Sequence, residues 1–140
     1  MGGQYNGSNV WFIKNNSHNN EYGIGFSSGS GNLPMGPLFI VGNLIENYLG
    51  PANTTDGWAA PRPIRSAAGT DVYVYGNTIK NCTNGIGFPS SKTLWLGNNT
   101  YVSAPATVVN NGGTVKTMTQ VEIDFMKNTY KNTFGRDLPI

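Results

Sequence analysis

Short apolar runs punctuate an otherwise polar chain: Val10 to Ile13, Leu38 to Val41, Val72 to Tyr75 and Thr93 to Leu96. Each is rich in β-branched or aromatic residues, which suits a strand, and an asparagine follows each one. With Asn15, Asn43, Asn77 and Asn98 as origins, the segments read IKNNSHNN, VGNLIENY, YGNTIKNC and LGNNTYVS. A second asparagine recurs four residues on, at Asn19, Asn47 and Asn81, with Val102 breaking the row. Eight residues after the origin, Gly23-Ile24-Gly25-Phe26 matches Gly85-Ile86-Gly87-Phe88, and Ala106 to Val109 takes the same slot. The fullest copy is Thr70 to Phe88, TDVYVYGNTIKNCTNGIGF.

A strand, a tight corner and a second strand, repeated, predict a coiled ribbon in which equivalent strands of successive turns pair in parallel. The origins lie 28, 34 and 21 residues apart. The shortest interval reads as the bare turn and the surplus in the others as corner insertions. Asparagine suits a repeated corner: its amide donates to one neighbouring turn and accepts from the other, and it tolerates left-handed backbone. Gly-Asn pairs also mark hairpins of an antiparallel sandwich. Recurrence of one turn type after one strand type favours the parallel coil.

Ser27 to Pro37 has loop composition. A larger insertion, Leu49 to Gly69, stands in place of the Gly-Ile-Gly-Phe slot of the second turn. After Asn110 a short strand, Thr114 to Met118, leads to Thr119-Gln-Val-Glu122, a capping-box pattern. Val121, Phe125, Met126, Tyr130 and Phe134 roughly keep helical spacing, so a terminal helix is expected to close the bottom of the coil. The domain reading is therefore a repeat over residues 1–118, with its corner insertion at 49–69, and a cap over 119–140. No capping helix is legible in residues 1–8. The first turn is thus expected to stack on upstream turns of a longer protein or on another chain.

Charged residues make up only 11% of the 140 positions, and 19 are glycine, a balance that suits corners satisfied by amides rather than ions. A formal net charge of +2, with the basic residues scattered, argues against nucleic acid as a partner. A single cysteine, Cys82, excludes an intrachain disulfide and a cysteine-cluster metal site, and it reads as a small residue packed in the coil. No apolar run is long enough to span a membrane, and no signal peptide is legible at the start. The Asn-x-Ser/Thr sequons are those expected by chance in a chain so rich in asparagine.

The insertion holds the densest chemistry. Asp56, Trp58, Arg62 and Arg65 fall within ten residues. Trp58 is a candidate stacking platform for a sugar ring, and Arg62 and Arg65 are candidate anion clamps. Asp56 is a candidate acid, base or calcium ligand. The competing reading has Trp58 folded back to plug the rung while the arginines pair with Asp56 and Asp71 to stiffen the loop. His18, the sole histidine, shares its repeat position with Glu46, Lys80 and Tyr101, a predicted outward column of compensating side chains. Glu21 is the residue that could exchange protons with His18. No Asp-Asp or Asp-Glu pair stands in register, as a glycosidase of either stereochemistry would need.

The repeat of an apolar strand, Gly-Asn-x-Ile-x-Asn and Asn-Gly-Ile-Gly-Phe resembles the right-handed parallel β-helix of the pectate-lyase-like superfamily over roughly residues 8 to 118. Ala60-Pro-Arg-Pro-Ile-Arg65, followed by Val72-Tyr-Val-Tyr-Gly-Asn77, is similar to the pectate lyase segment in which Arg-x-Pro-x-x-Arg precedes Val-x-Val-Tyr-x-Asn. The family's first arginine position falls on Ala59, and its second near Arg65. The Trp-Ile-Asp-His motif and calcium-binding aspartates of the family do not appear, so calcium is implied by the resemblance alone and no metal ligand is assigned. The expectation is an all-β, right-handed parallel β-helix (solenoid) of about four to five rungs with a short C-terminal helix or cap. The resemblance implies a secreted or surface-displayed protein that acts on or binds an extended polysaccharide, as a lyase or glycoside hydrolase. In that event Arg65, Arg62, Asp56, His18 and Glu21 are the candidates for catalysis, and Trp58, Arg62 and Arg65 for substrate binding. The alternative is a non-catalytic segment of an adhesin, phage tailspike or self-assembling structural protein.

Overall fold

The computed structural model describes residues 2–4, 9–19, 23–27, 36–67 and 69–140. In chain order its strands are β1 Gly2–Gln4, β2 Val10–Ile13, β3 Asn16–His18, β4 Ile24–Ser27, β5 Leu38–Val41, β6 Leu44–Tyr48 and β7 Ile64–Ala67. They continue as β8 Val72–Tyr75, β9 Thr78–Cys82, β10 Ile86–Phe88, β11 Thr93–Gly97, β12 Thr100–Val102, β13 Val108–Asn110 and β14 Thr114–Thr117. One helix, α1, spans Gln120–Phe134. Every third strand joins the same sheet. Sheet A runs β1-β4-β7-β10-β13, sheet B runs β2-β5-β8-β11-β14 and sheet C runs β3-β6-β9-β12. All the pairings are parallel. The hairpin alternative is thereby excluded, and the architecture is a stack of parallel sheets of solenoid type.

Side chains alternate across each strand, and here both faces of sheet B are covered. Leu38, Ile40, Val72, Val74 and Leu94 point into the lumen with Ile45, Ile79, Ile64, Ile86 and Phe88 of the other sheets. Phe39, Val41 and Tyr73, on the opposite face, pack with Met126, Tyr130 and Leu138. Burial on both sides explains why these strands read as unbroken apolar runs. The outward column Trp11-Phe39-Tyr73-Trp95 stacks, with centroids 3.9 Å, 5.1 Å and 6.2 Å apart in turn.

Helix α1 lies over that column. Phe125 meets Tyr73 and Phe39, whereas Tyr130 and Phe134 meet Trp11. The helix therefore crosses the strands along the stack and does not close the bottom of the coil as expected. Its start is the anticipated capping box of Thr119 and Glu122, and Gly135 ends it in the left-handed conformation. The Glu122 carboxylate accepts from the Thr119 hydroxyl and backbone N–H, and these bonds hold its pKa below the ordinary glutamate value.

The asparagine ladder is present, with one shift of register. Asn43 donates to Asn77 at 2.8 Å, and Asn77 donates to the side chain of Asn99 at 3.0 Å. The last interval is thus 22 residues, and Asn99 replaces Asn98 as the fourth member. Asn98 instead takes the left-handed corner position shared with Lys14, Gly42 and Gly76. The same slip carries through the turn. Ser103 joins Asn19, Asn47 and Asn81 as left-handed corners, so the row is not broken by Val102. Val102, not Tyr101, pairs beside Lys80, and Tyr101 pairs beside Ile79 and packs on the core. The slot opposite Gly85 to Phe88 is Thr107 to Asn110, one residue later than Ala106 to Val109. Moving a strand by one residue exchanges its faces.

Sheet A also begins earlier than the repeat suggested, since β1 precedes Val10 and pairs with β4. Nor is its second slot lost to the insertion. β7 fills it, with Ile64 beside Ile24 and Arg65 beside both Gly25 and Gly87.

Candidate functional site

Arg65 is thus a strand residue, fixed on the outer face of sheet A between two glycine positions. Across that face folds the segment from Leu49 to Arg62. Its close approach demands glycine at 87, where a Cβ would collide with the Gly57 carbonyl and press on the Arg62 side chain. Three side chains pin the segment. Asn84 accepts from the Asn53 N–H at 2.8 Å and donates to the Pro51 and Pro61 carbonyls at 2.9 Å and 3.1 Å. Asn111 accepts from the Gly57 N–H at 3.0 Å.

The third pin is Arg62, which is only 1% exposed. Its guanidinium donates to the carbonyls of Ala59, Gly85, Asn53 and Asp56 at 2.7 to 3.1 Å. Burial lowers its pKa, with the Asp56 carboxylate opposing that shift and Arg65 adding to it. A buried cation tied to four carbonyls is a strut, and the planar fork of arginine is what allows one side chain to reach them all.

On this support Trp58 stands 43% exposed. The Arg65 guanidinium carbon lies 3.9 Å from the Trp58 ring centroid, and Arg65 donates to the Trp58 carbonyl at 2.6 Å. Asp56 turns the chain into this arrangement by accepting the Trp58 N–H at 2.8 Å, an Asx turn. The structure therefore gathers Asp56, Trp58, Arg62 and Arg65 in one place, with Arg62 inside and the Trp58-Arg65 pair at the surface. It is Arg65, not a rung of the lumen, that Trp58 folds against. Both arginines are held by backbone carbonyls of the insertion.

His18 does not join them. It sits exposed on β3 of sheet C, beside Glu46, which faces Lys80 at 3.9 Å. Glu21 lies outside the described residues. Asn84 and Asn111 were missed in the sequence, although Asn84 directly precedes the recurring Gly-Ile-Gly-Phe, and an amide there has a turn to tie down.

The described residues around Asp56 do not fit calcium, which takes six to eight oxygen ligands. Among the described residues, no three His, Cys, Asp or Glu side chains gather as a metal site. The carbonyls of Asn53 and Asp56 already receive the Arg62 cation.

Likewise among the described residues, no helix is long and apolar enough to cross a membrane. Comparisons with protein-family models, curated proteins and solved structures find no match to this chain.

Proposed function

We propose that this chain binds an extended polysaccharide along the outer face of sheet A, with Trp58 and Arg65 as the central contacts. The observation that carries this reading is the stacked pair itself, an exposed indole backed by a guanidinium on a rigid strand. An aromatic face takes the apolar side of a sugar ring, and the fork of Arg65 takes its hydroxyls or a uronate carboxylate. The Arg62 strut and the Asn84 and Asn111 ties place both groups in advance, which lowers the ordering cost of binding. Parallel sheets joined in this order support a right-handed coil of about four to five rungs, since parallel crossovers have that hand in nearly all cases. That hand and rung count agree with a pectate-lyase-like β-helix, secreted or displayed at a surface. On the same reading, the strand edge formed by β1, β2 and β3 stacks on further turns or on another chain.

Binding without catalysis is the form best supported, as in an adhesin or tailspike segment. Among the described residues, the carboxylate at the platform is Asp56, whose oxygen already accepts the Trp58 N–H. Lyase chemistry would require Arg65 to leave Trp58 and take a proton, and hydrolysis would require a second carboxylate. Affinity electrophoresis through gels containing neutral or uronate polysaccharides tests the proposal. Retardation by at least one polymer, abolished in Trp58→Ala and Arg65→Ala, is expected. Unretarded mobility across the panel, or retardation indifferent to both substitutions, refutes it. Appearance of unsaturated uronate products or new reducing ends would replace binding by catalysis.

A further inference from the structure

A second surface, between sheet B, the corner that leads to sheet C, and α1, has the features of a ligand site. Lys14, Gly42, Gly76 and Asn98 are the left-handed corners of successive turns. Together with Tyr75, Lys127 of α1 and Ile140 they line a cleft of about 400 Å³. The corners form a column, so the floor spans three strand spacings, roughly 14 Å. Its middle is made of two glycines. A Cβ added at Gly76 would meet no atom within 4 Å, so the floor there is open space, while the Lys14 stem lies 3.7 Å from the Cβ position at Gly42. Polar and apolar character are divided, with Tyr75 and Ile140 supplying apolar wall, Asn98 an amide, and two lysines the charge. Among the described residues, Lys14 and Lys127 stand in no ion pair, whereas Lys80 and Lys131 each face a carboxylate.

We propose that this cleft binds an anionic sugar unit, a uronate, with its carboxylate taken by Lys14 and Lys127 and its ring laid on Tyr75 and the glycine floor. Lys14 and Lys127 against the one terminal carboxylate of Ile140 leave the concave surface net positive, which favours an anion, and a cleft of this volume with an aromatic wall accommodates a ring beside it. Flat glycine backbone lets the ring approach where any Cβ would lift it away. The site is separate from the Trp58-Arg65 platform and does not depend on it. Should a chain occupy both, the stack has two faces for one acidic polymer.

Titration calorimetry of the whole chain with glucuronate, glucose and sodium sulfate tests this. Glucuronate is expected to bind, with glucose and sulfate each weaker by about tenfold or more. The Lys14→Gln, Lys127→Gln double variant is expected to lose about tenfold or more in glucuronate affinity, because two charge-assisted contacts vanish. Gly76→Asn fills the floor with a residue that the left-handed corner tolerates, as Asn98 shows one turn away, and is expected to abolish binding at the cleft with thermal stability retained. The same titrations in Trp58→Ala, which removes the stacking face of the first platform, isolate the cleft, and the effects of the lysine and Gly76 changes are expected to persist there. Equal affinity for glucose and glucuronate, equal affinity for sulfate and glucuronate, or binding indifferent to both the lysine and the Gly76 changes overturns the assignment.

Discussion

Replacing Asn77 by alanine removes the centre of the ladder, and its cost can be worked from the contacts. Asn77 is fully buried. Its amide oxygen accepts from the Asn43 backbone N–H at 2.9 Å and side chain at 2.8 Å. Its nitrogen donates to the Ile40 carbonyl at 2.8 Å and to Asn99 at 3.0 Å. Alanine leaves the Asn43 N–H and the Ile40 carbonyl facing an apolar wall, at about 1 to 3 kcal/mol for each stranded group. A total near 4 kcal/mol is a large share of the ~5–15 kcal/mol that holds a domain together, and at about 2–4 °C per kcal/mol it lowers Tm by roughly 10 °C. Urea and thermal unfolding followed by circular dichroism measure it. The register adds an internal control. Asn99→Ala should cost about 1–2 kcal/mol through its lost bonds to Asn77 and to the Val74 carbonyl. Asn98→Gly, at a left-handed corner, should cost no more than about 0.5 kcal/mol. A loss below about 1 kcal/mol for Asn77→Ala, or equal losses at 98 and 99, would refute both the ladder and its register.

Three further outcomes follow from the same contacts. Arg62→Met strands four carbonyls and should free the segment 49–62, at about 1–3 kcal/mol for each carbonyl that stays buried; limited proteolysis should then cut within that segment while the sheets stay intact, and resistance equal to that of the wild type would count against the strut. Cys82 is buried, and burial raises its thiol pKa, so labelling by a disulfide reagent near neutral pH should be slow when folded and rapid in denaturant. Because the shift is upward, the stability tied to the protonated thiol is complete below the unfolded thiol pKa and declines as pH rises through the folded one. The Glu122 carboxylate is shifted downward by its bonds to Thr119. Its contribution to the helix start is therefore present above the ordinary glutamate range and lost as pH falls through the folded value. Hydrogen-exchange protection factors at the first turn of α1, with rates corrected for the intrinsic pH dependence of amide exchange, should fall on acidification, and Glu122→Gln should remove most of that change.

The repeating columns were legible because two demands recur on every turn, an apolar residue facing the lumen and an amide that both donates and accepts. The final turn misled because Gly97-Asn98-Asn99 offers asparagine for two different tasks. One task is the ladder and the other the left-handed corner, and the template Gly-Asn selected the wrong residue. The apolar ring of Tyr101 carried the correction, since facing inward beside Ile79 requires the later register. The strand inside the insertion was hidden by Arg65, which reads as loop chemistry although Ile64 and Ser66 alternate with it. The helix was legible from its cap, but its resting place was not. The outward aromatics Trp11, Phe39, Tyr73 and Trp95 were the signal, for a solvated sheet face would not carry one on each turn. As for the candidate site, Asp56, Trp58, Arg62 and Arg65 already stand within ten residues of one another in the sequence. Which arginine is interior depends on carbonyls brought from Gly85 and Asn53, and no local pattern reveals that.

The central claim is that Trp58, held against Arg65 on a rigid parallel sheet, is a sugar-binding face. Its most direct measurement is the fluorescence of Trp58 as the sole indole, in a Trp11→Phe, Trp95→Phe background, during titration with the polysaccharide that retards the protein most. A saturable change in intensity and emission maximum that disappears in Arg65→Ala is the predicted result. An emission spectrum that stays constant while the polymer binds would contradict the claim.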